Sequence, residues 1–164
     1  MFGTTFDLTI RFPGMKTLLL VFALFLGSLT TIHAQTPTQK VYAAVVKNQP
    51  DVLESLLAGG ADANAPVEMM PGFPTTFLIL AAGNGQLELV RILVKHRAQV
   101  DKPDSFNATA LMAASLQGSL EVVEFLLANG ANPKAKDTDG KDVLASAKEG
   151  GNKAVIKLIQ DKAR

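Results

Sequence analysis

The feature that most constrains this chain is a repeat with a period of 33 residues. The segment Thr76-Phe77-Leu78-Ile79-Leu80-Ala81-Ala82-Gly83-Asn84-Gly85-Gln86-Leu87-Glu88-Leu89-Val90 lies over the segment that begins at Thr109 and ends at Val123. Thr, Leu, Ala, Gly, Leu, Glu and Val coincide 33 residues apart. The same step carries Thr109 to Asp142, Leu111 to Leu144, Ala114 to Ala147 and Gly118 to Gly151. Backwards, the pattern reaches Gln39 to Ala44 and then Val52 to Leu57 with a step of 37, because four residues are inserted. A period of this length means stacked supersecondary units, none of which can bury its own apolar faces alone. Four units account for the chain after residue 34: about 38–70, 71–105, 106–138 and 139–164.

Within a unit the pattern predicts two short helices. In the third, Thr109 caps the first helix through its hydroxyl, Leu111 and Ala114 give that helix an apolar face, and Gly118 breaks it. Leu120, Val123 and Phe125-Leu126-Leu127 then form the stripe of a second helix, which Asn129-Gly130 ends in a left-handed turn. The alanine pairs Ala81-Ala82 and Ala113-Ala114 let neighbouring units approach closely. One irregularity stands out: Arg97 occupies the place held by Gly60 and Gly130 and must take the same left-handed backbone.

Gly60-Ala61-Asp62-Ala63-Asn64, Gly130-Ala131-Asn132 and Gly118-Ser119-Leu120-Glu121-Val122-Val123 resemble the motif of the ankyrin-repeat family over about residues 36–164. The first half of each unit departs from that motif. Lys40, Phe77, Ala110 and Val143 stand where the family has Pro, and Tyr42, Ile79, Met112 and Ala145 where it has His. The resemblance implies an all-α fold, an α-solenoid of four stacked helix-turn-helix units with projecting β-turn fingers, and a role in protein recognition rather than catalysis.

Composition removes several chemistries. With 16 Lys+Arg against 15 Asp+Glu the chain lacks the basic excess that nucleic-acid binding usually needs. No cysteine means no disulfide, thiolate nucleophile or Cys-containing zinc site, and no Trp and one Tyr leave few platforms for base stacking. Gly83-Asn84-Gly85-Gln86-Leu87-Glu88 begins like a dinucleotide fingerprint, but Glu88 replaces the third Gly and no strand precedes it. His96, the one imidazole after residue 34, is expected at the surface without a partner. Asp101, Asp104 and Asp137 are expected to bond turn backbone rather than a cation. Asn107-Ala108-Thr109 is formally a glycosylation acceptor, with Thr109 already required as a cap. No catalytic residue, cofactor or metal ligand is expected, and the protein is expected not to be an enzyme.

Residues 1–34 have the layout of a secretory signal peptide: Lys16, the apolar run Leu18 to Leu26, the break Gly27-Ser28, and Ala34 before Gln35. The run is shorter than the roughly 20 residues that span a bilayer. Met15 is the expected start, since Asp7 is an acid where a leader should be basic. Cleavage after Ala34 would leave residues 35–164 with 14 basic and 14 acidic residues, in the periplasm or secreted, off the membrane and monomeric.

The turns between units are unequally polar. The last, Ala135 to Gly140, is polar, whereas the first, Ala65 to Pro74, carries Met69, Met70 and Phe73, and the second carries Phe106. Phe73, Phe106 and Asp139 hold the same position, three before Thr76, Thr109 and Asp142. In the family this position faces partners. The spacing of packed elements predicts the two rings about 10 Å apart. The alternative is a first finger that folds back over its own Met and Phe residues. With Thr75, Ala108 and the groove positions Lys47, Asn84, Leu116 and Gln117, these residues form the expected contact face. The function expected is an exported module that binds a protein partner. The alternatives are an accessory module for a small ligand or peptide, recognisable by a closed pocket, and an immunity or chaperone partner of a secreted toxin.

Overall fold

Thr36, Thr76, Thr109 and Asp142 each start the first helix of a unit. Their side-chain oxygens accept a hydrogen bond from the backbone N–H three residues on, a cap worth about 1 kcal/mol. The structure, a computed structural model, describes residues 36–164, so the expected leader and its cleavage point lie outside the described residues. Among the described residues eight helices follow in pairs: α1 (Pro37–Val46) and α2 (Pro50–Ala58), α3 (Phe77–Gly83) and α4 (Leu87–Lys95), α5 (Ala110–Gln117) and α6 (Leu120–Ala128), α7 (Val143–Gly150) and α8 (Lys153–Lys162). None is long and apolar enough to cross a membrane.

The first helix corrects the repeat alignment at its start. Its cap is Thr36, three residues before Gln39, because Thr36 and Gln39 form a reciprocal capping box and Pro37 supplies the first-turn backbone. The 37-residue step holds at the other end of the helix, where Asn48 (φ 51°) takes the left-handed place of Gly85 (φ 68°). A short amide side chain tolerates that conformation better than most non-glycine residues do.

The odd-numbered helices stack on one another as an inner layer and the even-numbered ones as an outer layer, giving an α-solenoid of four helix pairs. The core runs continuously between the layers through Leu53, Leu89, Leu93, Leu111, Leu126 and Ile159. Burying each such side chain stabilises by roughly 1.5–3 kcal/mol. Five of the eight positions that departed from the family motif belong to this core: Phe77, Ala110, Val143, Ile79 and Met112 are buried, whereas Tyr42 and Ala145 are half-buried and Lys40 is exposed. Apolar packing there replaces the polar ring of the motif. Val52 is exposed, although its equivalents Leu89, Val122 and Val155 are covered by a preceding unit.

Hydrogen bonds also cross between units at repeated positions. Asn64 Oδ1 accepts from Gln99 N (2.8 Å), and one unit later Asp101 Oδ1 accepts from Asn132 N (3.0 Å). Asn64 in addition donates its amide to the carbonyl of Arg97 (2.9 Å), a bond that the carboxylate of Asp101 cannot make.

The first finger is a hairpin rather than an irregular turn. Strand β1 (Val67–Met70) pairs antiparallel with β2 (Phe73–Thr75), with Val67 opposite Thr75, Glu68 opposite Pro74 and Met70 opposite Phe73. The register shifts between Glu68 and Met70. The insertion therefore builds two paired strands, and the turn at Gly72 (φ 83°) uses the freedom that only glycine has at low cost.

Candidate partner-binding face

The second and third fingers share one construction. Asp104 Oδ1 accepts from Phe106 N (2.8 Å) and Ala108 N (2.9 Å), and Asp104 N donates to Ala108 O (3.0 Å). One period later Asp137 Oδ1 accepts from Asp139 N (3.0 Å) and Lys141 N (2.9 Å), and Asp137 N donates to Lys141 O (3.0 Å). Each aspartate thus closes its own turn, as the sequence pattern anticipated. The left-handed residue this turn requires is Asn107 (φ 58°) in one finger and Gly140 (φ 78°) in the other. Asp101 spends its carboxylate on Asn132 N.

Backbone hydrogen bonds tie the fingers to one another. Ser105 N donates to Pro74 O (3.1 Å), and Thr138 N donates to Phe106 O (2.9 Å). These bonds bring neighbouring fingers to strand-like spacing, which is about half the distance between packed helices. For that reason the expected separation of about 10 Å is wrong. The rings of Phe73 and Phe106 stack with centroids 5.3 Å apart and planes 8° from parallel. Both stay about half exposed, at 45% and 48%. Met70 is also exposed, while Val67 turns into the core. The first finger therefore presents its aromatic ring and does not fold back over it. The side chain of Met69 lies outside what the structure describes.

The other expected contact residues divide between edge and surface. Thr75 and Ala108, next to the helix caps, are half-buried, and Asp139 is exposed. Lys47, Asn84, Leu116 and Gln117 are exposed at the C-terminal ends of the inner helices. Leu116 is 49% exposed, a large apolar side chain left in solvent. Val46, at the equivalent position in the first unit, is 54% exposed and belongs with it. Sequence reasoning missed Val46, although the 37-residue step to Gly83 and the further 33 to Leu116 could have found it.

On the opposite side, a groove of about 640 Å³ runs along the outer helices and is lined by Asp51, Glu54, Glu88, Arg91, Lys95 and Phe125, among others. It is open to solvent rather than a closed pocket. The Arg91 guanidinium lies 4.8 Å from the Phe125 ring centroid, and Glu54 Oε1 accepts from Lys95 Nζ at 2.7 Å. His96 corrects the expectation of a solvated imidazole without a partner. Its side chain is mostly buried, with Nε2 3.2 Å from the same Glu54 oxygen, poorly aligned for a hydrogen bond. Lys95 first and His96 second hold the Glu54 carboxyl below its usual range, against a smaller opposing effect of burial. No group of three or more His, Asp and Glu residues is gathered to hold a metal among the described residues.

The family model that matches this chain is that of ankyrin repeats, in three copies over residues 41–137. It ends before α7 and α8, which the structure nonetheless stacks as a fourth helix pair on the third. A search of curated proteins gave no match to the chain.

Proposed function

Because the chain belongs to the ankyrin-repeat family, we propose that it is an exported module that docks a protein partner on its fingers and the adjoining ends of its inner helices. Such a domain is typically a binding module without catalysis, and it generally serves protein–protein interaction. The observation that carries the assignment of the face is the stacked, half-exposed pair Phe73–Phe106, held on fingers whose turns are closed by their own hydrogen bonds. A preformed apolar contact loses little conformational entropy on docking, so a small patch with a polar rim can hold a partner. Met70, Leu116 and Val46 extend the apolar surface, and Lys47, Asn84, Gln117 and Asp139 supply polar surroundings.

Export rests on the leader pattern of residues 1–34 and places the protein in a periplasm or outside the cell. Mass spectrometry of the protein from the producing cell should show a chain beginning at Gln35. Retention of Leu18 to Leu26 would instead tether it. For the binding role, a tagged protein should capture a defined partner that the double variant Phe73→Ala/Phe106→Ala loses while still melting like the parent. Full capture by that variant would remove this face from the proposal.

A further inference from the structure

The stack of Phe73 on Phe106 runs from finger to finger along the solenoid and stops at the third finger. There the equivalent position is held by Asp139. Thr138 N, one residue before Asp139, donates to Phe106 O at 2.9 Å, so the third finger stands one strand-like spacing beyond the second. The ring face of Phe106 turned away from Phe73 therefore looks along the row toward the finger that carries Asp139. That carboxylate is unspent: Asp139 uses its backbone N–H on Asp137, and no hydrogen bond or ion pair engages its side chain among the described residues. The nearby Lys141 is committed to Glu149.

Resting on the docking face proposed above, we infer that the slot between Phe106 and Asp139 takes an arginine side chain of the partner, whose guanidinium continues the two-ring stack and pairs with the carboxylate. A flat cation satisfies both walls at once, with its face on the aromatic π-system and its edge forked to the two carboxylate oxygens. An apolar side chain would leave Asp139 unpaired. Lysine offers a point charge and no plane to stack. The molecule already uses the first half of this arrangement in its own outer groove, where Arg91 lies over Phe125. The partner segment is thus one with an arginine beside an apolar residue, the apolar neighbour falling over the exposed edges of Phe73 and Met70.

The test is an NMR titration of the purified chain, following the ring protons of Phe73 and Phe106. The probes are acetyl-Leu-Arg-amide, acetyl-Leu-Lys-amide and acetyl-Leu-citrulline-amide, the last having the size and plane of arginine without its charge. The arginine peptide should bind at least fivefold more tightly than the citrulline peptide and more tightly than the lysine one. Asp139→Asn should erase that preference while leaving the mutual ring-current shifts of the two Phe residues unchanged. Equal binding of arginine and citrulline, a preference that survives Asp139→Asn, or no binding by any of the three would overturn the inference. Failure here is distinguishable from failure of the docking face. If Phe106→Ala abolishes capture of a partner and Asp139→Asn does not, the face stands and the arginine slot is wrong.

Discussion

Phe73 and Phe106 are 33 residues apart in the chain and 5.3 Å apart as rings, stacked nearly parallel on two fingers joined by the bond from Ser105 N to Pro74 O. Neither ring is in the core. Their mutual contact hides one face of each from water and leaves the rest for a partner.

The consequence for mutagenesis is a split between binding and stability. Phe73→Ala and Phe106→Ala should each weaken partner binding by on the order of 2 kcal/mol, as loss of a central anchor does. Their effects should not add, since removing one ring unstacks the other. The thermal midpoint should move little. A fall of the size that emptying a packed aromatic site gives, roughly 3 kcal/mol or more, would show that these rings support the fold instead.

Arg97 has φ 65°, in the same left-handed turn that Gly60 (φ 93°) and Gly130 (φ 87°) make. A side chain there costs roughly 1 kcal/mol. Arg97→Gly should raise stability by about that amount, because the interaction with the neighbouring unit uses the Arg97 carbonyl, which accepts from Asn64 and survives the change. Chemical denaturation of the two proteins compares them directly, and a lower midpoint for the variant would mean that the guanidinium makes a contact worth more than the strain.

Among the described residues Gly150 should be the least replaceable glycine. A Cβ there would stand 2.4 Å from Leu116 O and 2.5 Å from Ser115 O, both backbone atoms of the neighbouring inner helix. Gly150→Ala should therefore force α7 away from α5 and cost roughly 1–3 kcal/mol or more. At Gly130 the space around such a Cβ is open, so Gly130→Ala should show only the smaller backbone penalty. Equal midpoints for the two variants would contradict this account of the packing.

Glu54 predicts an acid-dependent loss. Its carboxyl is held below the usual range by Lys95 and His96, so its ion pairing favours the folded chain fully above the ordinary glutamate pKa. That contribution fades as pH falls through the lowered folded-state value. The stability difference between the parent and Glu54→Gln should thus be present at neutral pH and shrink below about pH 4. Urea melts across this range measure it, and a difference that grows on acidification would reverse the assignment.

The local decisions were legible in the sequence. The 33-residue step, the capping residues at Thr76, Thr109 and Asp142, and the breakers at Gly85, Gly118 and Gly151 each act within a few residues of themselves. Their physics is therefore written where they stand. Arg97 is of the same kind, because a left-handed turn is a property of one residue and its position in the period. The terminal helix Lys153–Lys162 follows from its own apolar spacing. What tertiary structure decided are distances between units. The insertion could have buried its aromatic residue, and pairing of β1 with β2 decided that Val67 goes inward and Phe73 stays out. Backbone bonding between fingers, which leaves no mark in side-chain pattern, set the stacking of Phe73 on Phe106 at strand-like rather than helix-like spacing. The partner of His96 is Glu54, 42 positions away, and the need for glycine at residue 150 comes from carbonyls of Ser115 and Leu116. A periodic sequence states what each unit is. How closely two units meet depends on atoms contributed by both, and only their packing determines it.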